Sequence, residues 1–303
     1  MMKSWYYALF VFIGGCFLGA LSTSVKLAYE AGFTIPQITI SQFLFGTVLL
    51  WSVAVFSKRI KVSLKFTGIL LLCGIPMSLT GTFYYFSLQT LDASLAIIFL
   101  FQFVWIGSLF EYILYRKVPT KLQWMAIAVL IIGSGLAAGL VTNGFSNLTW
   151  SGSIFGTLSA FTFTSFLFIS GNVGKHIPPV QKSTILATGG FIFVFILFPP
   201  FAVFESTGKL VDIAPYGLFL GLFGVALPPF LFAIGMPRVG TGLGTILSAS
   251  ELPVAVILSA VVLSEIVHPL QWIGVVIILL GIMIGNLKLK STQTDSTKER
   301  AVS

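Results

Sequence analysis

Charged side chains are scarce in this sequence. They make up 9% of 303 residues, where a soluble domain carries about 25%. That excludes a soluble catalytic or binding domain of any size. Histidine is scarcer still, with only His176 and His268, both expected at loop ends as solvated surface residues. Cys16 and Cys73 are the two cysteines. Both lie in apolar runs, form no disulfide framework and have no metal-ligand spacing, so they read as small core residues. No Walker-type glycine loop is present, and ATP-driven work would need a separate subunit. No cofactor is expected. A lipid-modifying enzyme would need nucleophiles, histidines or metal-binding carboxylates clustered at one depth, and no such cluster is visible.

What is present is apolar length. Hydrophobic residues account for 56% of the chain, gathered into runs of the length, about 20 residues, that crosses a bilayer as a helix. Ten such spans are expected: Trp5–Ala28, Pro36–Phe56, Phe66–Leu88, Ala93–Tyr115, Leu122–Val141, Trp150–Gly171, Val180–Phe204, Tyr216–Met236, Val239–Leu263 and Leu270–Leu287. The start, Met-Met-Lys-Ser before an apolar run, mimics a secretory signal. The run is longer than a signal core of about 7–15 residues and reads as a retained first helix. Residues 288–303 are polar and read as a mobile cytoplasmic tail.

The net charge of +8 follows from the same picture, and no nucleic-acid partner is expected. With the N-terminus in the cytoplasm, every one of the 17 basic residues except Lys26 and Lys209 falls on the cytoplasmic side, Lys175 and Lys182 included. Acidic loop residues such as Glu30, Asp92, Glu205, Asp212 and Glu265 fall mainly on the other side. That bias sets an orientation with both termini on the cytoplasmic side of the plasma (inner) membrane.

An internal repeat emerges at a shift of 148 residues. Leu122-Gln123-Trp124 falls on Leu270-Gln271-Trp272, Gly133 on Gly281, and Ala137 on Gly285. Residues 1–143 and 144–287 each hold five spans. An odd number places the halves in opposite orientations, a pattern found in transporters with a mid-membrane site at the repeat interface. The fold class expected is therefore an all-α polytopic membrane protein with two inverted five-helix repeats. Small residues in the fifth span (Gly133, Gly135, Ala137 and Gly139) and in the tenth (Gly281 and Gly285) mark close packing faces.

Within these spans, a few residues point to a site. Glu251 stands mid-span, where a carboxylate costs roughly 2.5 kcal/mol or more on insertion scales and usually faces protein or water. It can bind a proton or a cationic group. Ser248 shares its helix face, and Pro253 removes a donor and kinks the span. Gly74 and Pro76 interrupt the third span, and Pro228 and Pro229 the eighth; breaks in corresponding spans point to a binding site. Tyr84 and Tyr85 can stack on or hydrogen-bond a substrate. Gln102 falls opposite Ser250 under the repeat, with Trp105 on its face as a candidate apolar wall. Lys26 either snorkels or meets an anionic substrate group. Asn172 is a candidate of the same grade, and Glu111 reads as an interfacial pair with Arg116.

The run Gly-Leu-Gly-Thr-Ile-Leu-Ser-Ala-Ser-Glu-Leu-Pro-Val-Ala that ends at Ala255, with Ser264-Glu265, Gln271, Gly274 and Gly281, resembles the EamA domain of the drug/metabolite transporter superfamily. Members usually show Glu-Pro at mid-helix and a second Glu about four turns later. Here Leu252 intervenes and the proline comes one residue late. In the first half, Leu91-Asp92-Ala93-Ser94-Leu95-Ala96 resembles the usual entry to the fourth helix, with Trp105 at the counterpart of Pro253 and Lys117 where Glu is common. The resemblance implies ten helices in two inverted repeats. It also implies a cavity lined mainly by the first, third, fourth, sixth, eighth and ninth helices, and export of amino acids, metabolites or drugs. Together with the residues, it leads to a secondary transporter. The expectation is a proton-coupled exporter of a small metabolite, an amino acid or amphipathic amine, working as monomer or homodimer. An uncoupled facilitator is the alternative within transport; a membrane scaffold or receptor would need neither the carboxylate nor the repeat.

Overall fold

Lipid offers no partner for backbone N–H and C=O groups, so an apolar run crosses it as a helix that satisfies its own. The computed structural model describes residues 4–91, 93–140, 149–199, 207–264 and 267–302, and every regular element among them is helical. Among the described residues, eight helical stretches are long and apolar enough to cross a membrane: Trp5–Glu30, Ile35–Phe56, Leu64–Thr90, Ala96–Tyr115, Trp150–Asn172, Pro179–Leu197, Val211–Val239 and Thr241–Val262. Two shorter apolar helices, Lys121–Ala137 and Pro269–Gly285, stand where the fifth and tenth spans are expected.

In chain order the elements are α1 (Ser4–Glu30), α2 (Ile35–Phe56), α3 (Leu64–Leu72), α4 (Ile75–Thr90), α5 (Ala93–Phe101), α6 (Phe103–Tyr115) and α7 (Lys121–Ala137). Then come α8 (Trp150–Asn172), α9 (Pro179–Leu197), α10 (Thr207–Leu220), a π-helical segment Gly221–Ala226, α11 (Leu227–Val239), α12 (Thr241–Ser248), α13 (Glu251–Val262) and α14 (Pro269–Val302). The last helix runs on through the polar segment expected as a mobile tail. That segment holds no glycine or proline to stop it. The seventh span ends at Leu197, short of the expected Phe204, where Pro199 and Pro200 withhold two backbone donors. Asp212 is helical and exposed. Glu265, Asp92 and Glu205 lie outside the described residues.

Four of the spans are broken, and the breaks correspond. Residues 73–74 separate α3 from α4; their counterparts 148 residues on fall at the start of the π segment. Gln102 separates α5 from α6, and its counterpart Ser250 lies between α12 and α13. The main helix pairings follow the same exchange. Helix α4 packs on α8 as α11 packs on α1; α5 and α6 pack on α8 as α12 and α13 pack on α1. Helix α2 packs on α10 and the π segment as α9 packs on α3 and α4, while α2–α9 and α7–α14 pair with each other.

The α7–α14 seam shows why its glycines are there. A Cβ on Gly274 would meet the backbone of Ala137 and Gly133; one on Gly281 would lie 2.9 Å from Leu130. Gly285 faces Ile246 and Ala126 across the same bundle, whereas Gly135 looks only toward Leu140 of its own segment. Gly139 takes φ 73° where the chain leaves α7, a conformation side chains resist. The repeated glutamines act alike. Gln123 Oε1 accepts from the Thr120 N–H at 2.8 Å, and Gln271 Oε1 from the His268 N–H at 2.9 Å. Each satisfies an orphan donor at the start of its helix.

Candidate functional site

The ninth span bends where its hydrogen-bond ladder loses a donor. Pro253 has no N–H to return to the Ala249 carbonyl; Leu252 N–H takes that carbonyl instead at 3.3 Å, one residue tighter than an α-turn. The N–H groups of Ala249 and Ser250 likewise reach three residues back, to Ile246 and Leu247 at 3.3 Å. The bend leaves Glu251 as the first residue of α13. Its Oε2 is buried and meets no hydrogen-bond partner among the described residues.

The eighth span bends for a related reason. Pro228 and Pro229 withhold the donors that the carbonyls of Gly224 and Val225 would meet in an α-helix. The wide π turn absorbs part of this: the Leu227 N–H goes back to Leu222. Gly224 has Pro228 at the α spacing and Pro229 at the π spacing, so the helix denies its carbonyl a donor at both. π-turns recur at functional sites.

These two bends face one partly enclosed cavity. Glu251 and Ala255 of α13 and Gly224 and Val225 of the π segment form one side. Leu18, Leu21 and Ser22 of α1, Gln42 and Phe43 of α2, Met77, Thr80, Gly81, Tyr84 and Tyr85 of α4, Ile97 and Leu100 of α5, and Phe163 and Phe166 of α8 complete it. It leaves about 70 Å³ for the centres of water-sized molecules, enough for a few waters. The second helix joins the wall, beyond the set that the resemblance implied. Gly46 and Gly221 let α2 approach the π segment backbone to backbone, and Gln42 thereby reaches the cavity.

Polar groups on this wall are few. Tyr85 Oη donates to Gln42 Oε1 at 2.8 Å, and Tyr29 Oη donates to the Tyr85 carbonyl at 3.3 Å. Thr80 Oγ1 donates to Pro76 O at 2.7 Å and lies 3.1 Å from Thr162 Oγ1. The Tyr84 hydroxyl, on a side chain only 6% exposed, has no partner among the described residues. A buried hydroxyl or carboxylate left unmet costs on the order of 1–3 kcal/mol or more, so two on one cavity point to a ligand or water as the missing partner.

The cavity lies in the half of the bundle nearer residues 31–34. The opposite half is packed. Phe103 meets Phe163 edge-on at 4.8 Å, and Phe232 lies 6.0 Å from Phe166. A Cβ on Gly107 would lie 2.5 Å from Thr245, and one on Gly15 would meet the Ser250 hydroxyl. Ser250 Oγ donates to Phe12 O at 2.7 Å. Glu111 turns to α12, not to the expected Arg116, and accepts from the Gly242 backbone N–H.

Of the residues singled out in the sequence, Glu251, Tyr84 and Tyr85 stand on the cavity wall. Ser248 is fully buried and donates back to Gly244 O at 2.9 Å. Gln102 donates to Ile98 O at 3.0 Å and accepts from Trp105 Nε1 at 2.6 Å. Trp105 is 37% exposed on the outer face, beside Tyr112 and Trp124. Asn172 donates to Phe168 O at 3.0 Å at the end of α8, and Lys26 is partly buried on α1. None of these five lines the cavity. Gly74 packs against Leu186 and Gly190 of α9, and Pro76 opens α4. Gln42 and Ser22 were not singled out; both are polar residues inside apolar runs, the signal that marked Gln102.

A second residue changes place. Lys182, expected at the cytoplasmic end of the seventh span with its charge in water, is turned inward on α9 and is 1% exposed. Its Nζ donates to Ser170 O at 2.7 Å and reaches Ile169 O at 3.5 Å. It thus closes the end of α8, where helix carbonyls run out of donors and favour a cation.

The model of the EamA-like transporter family matches this sequence twice, over residues 5–139 and 150–287. The chain belongs to the EamA-like transporter family. Two matches cover both halves, and the family sets the chain among transporters rather than enzymes. With its apolar helices, it is a multi-pass membrane protein. The chain is 22% identical over 286 residues to the uncharacterized transporter YwfM of Bacillus subtilis (strain 168), covering 93% of this chain and 94% of that one. It is 30% identical over 203 residues to the uncharacterized transporter YetK of the same organism, covering 61% of this chain and 57% of that one. Its fold is similar to that of a protein of known crystal structure, with a TM-score of 0.68 over 91% of this chain and 98% of the other. At 16% identity, that likeness concerns the fold alone.

Proposed function

We propose that the chain is a secondary transporter. It exports a small metabolite, an amino acid or an amphipathic amine, across the plasma membrane by alternating access. Proton exchange at Glu251 drives it. The observation that carries the reading is the unpartnered Glu251 oxygen on a cavity wall at a helix bend. Ten crossing helices in two inverted repeats, with both termini in the cytoplasm, are the architecture proposed. The matched breaks, the exchange-symmetric pairings and the charge bias support it. In that orientation the cavity belongs to the outward half and the packed aromatic half to the cytoplasmic side. Transport requires that the packing around Phe103, Phe163 and Phe232 open in turn.

Purified protein in proteoliposomes under an imposed pH gradient tests this. The wild type accumulates substrate against its gradient. Glu251→Gln abolishes gradient-driven flux while keeping the wild-type elution profile. Undiminished proton-driven flux by that variant overturns the coupling, and equal wild-type flux with and without a pH gradient identifies a facilitator.

A further inference from the structure

The cavity wall offers acceptors and lacks cations. Among its described lining residues, Glu251 is the one acid, and there is no Lys, Arg or His. The Glu251 Oε2 and Tyr84 Oη are buried and unmet. A group that meets a carboxylate on α13 and a hydroxyl on α4 together needs N–H donors, and the carboxylate favours a positive charge. A primary ammonium, with three donors and no acceptor, has that chemistry. The remainder of the wall is apolar and aromatic, with Phe43, Phe163, Phe166 and Tyr85 around it. It suits a ring-sized apolar group.

We infer that the cavity takes a primary amine bearing an apolar ring and no carboxylate, its ammonium held between Glu251 and Tyr84. The inference rests on the transport reading and narrows its substrate. An α-amino acid shares the ammonium and the ring but brings a carboxylate bonded one carbon away. That anion would enter beside Glu251 with no cation to receive it. Like charges a few ångströms apart in a poorly solvated site repel by several kcal/mol. Removing a carboxylate from water without a partner costs more again. The site therefore separates an amine from its parent amino acid by charge.

Isothermal titration calorimetry on the purified full chain, with 2-phenylethylamine, phenylalanine and 3-phenylpropionate as probes, tests this. The amine is expected to bind at least about tenfold more tightly than phenylalanine, since a charge-assisted hydrogen bond carries that much. The propionate gives no heat. Glu251→Gln loses the amine. Tyr84→Phe, which removes one oxygen and keeps the ring, weakens it about tenfold without weakening phenylalanine. Phenylalanine binding as tightly as the amine, no amine binding by the wild type, or unchanged amine affinity in both variants each overturns the inference. Counterflow in vesicles separates it from the broader reading. Carriage of phenylalanine but not the amine sinks the substrate class and keeps transport. Tight amine binding with no carriage of any probe keeps the site and sinks transport.

Discussion

The side chain of Gln102 takes over a backbone duty for Ile98. Its Nε2 donates to the Ile98 carbonyl at 3.0 Å, while the Gln102 backbone N–H turns to Phe99 at 3.3 Å. The fourth span is therefore broken without a proline, at the position where its repeat counterpart is broken with one. Gln102→Leu leaves that carbonyl unmet and frees the Trp105 indole. The expected cost is about 1–3 kcal/mol, read as a lower unfolding temperature in detergent, with substrate affinity kept once folded. A variant of unchanged stability but altered affinity would show that the amide serves the substrate instead.

Gly81 faces the cavity, and a Cβ there would meet nothing within 4 Å. A large side chain can enter the cavity without displacing the helix. Gly81→Phe is expected to block flux by tenfold or more, roughly the loss of one substrate-sized contact set, while the unfolding temperature stays at the wild-type value. Full flux in that variant would place the substrate path elsewhere.

Glycines at the α3–α9 seam behave oppositely. A Cβ on Gly189 would collide with the Leu71 carbonyl, and one on Gly74 with the Leu186 carbonyl. Both obstacles are backbone and cannot swing away. Gly189→Ala and Gly74→Ala should each destabilise by about 1–3 kcal/mol or more, seen as loss of monodisperse protein on size exclusion. Wild-type melting in both would mean that α9 and the α3–α4 break are free to separate.

Lys182→Met keeps the length of the side chain and removes its ammonium. The Ser170 carbonyl then loses its 2.7 Å donor, and a cost of about 1–3 kcal/mol in thermal stability is expected. Hydrogen exchange should rise at the end of α8. A variant as stable as the wild type, with altered flux, would instead give the buried amine a part in transport.

Much of the fold is legible in the apolar runs. Helix α1 differs from the expected Trp5–Ala28 by one residue at one end and two at the other, since run length and lipid thickness set both. The break at Pro253 is also legible, because a missing N–H is written in the residue type. Gln102 is harder: an amide in an apolar run says that a partner is needed, not that the partner is its own helix. Gln42 depends on the approach of α2 to the π segment through Gly46 and Gly221, a tertiary event with no local mark. Lys182 misleads because a lysine near a span end usually reaches water; here its stem points inward, toward the end of α8.

The glycine seam between α7 and α14 leaves two backbones too close to slide freely. That pair is a stationary datum for the molecule. A spin label on exposed Trp124, paired with one on a helix that lines the cavity, would turn any rearrangement into a distance read from a fixed point.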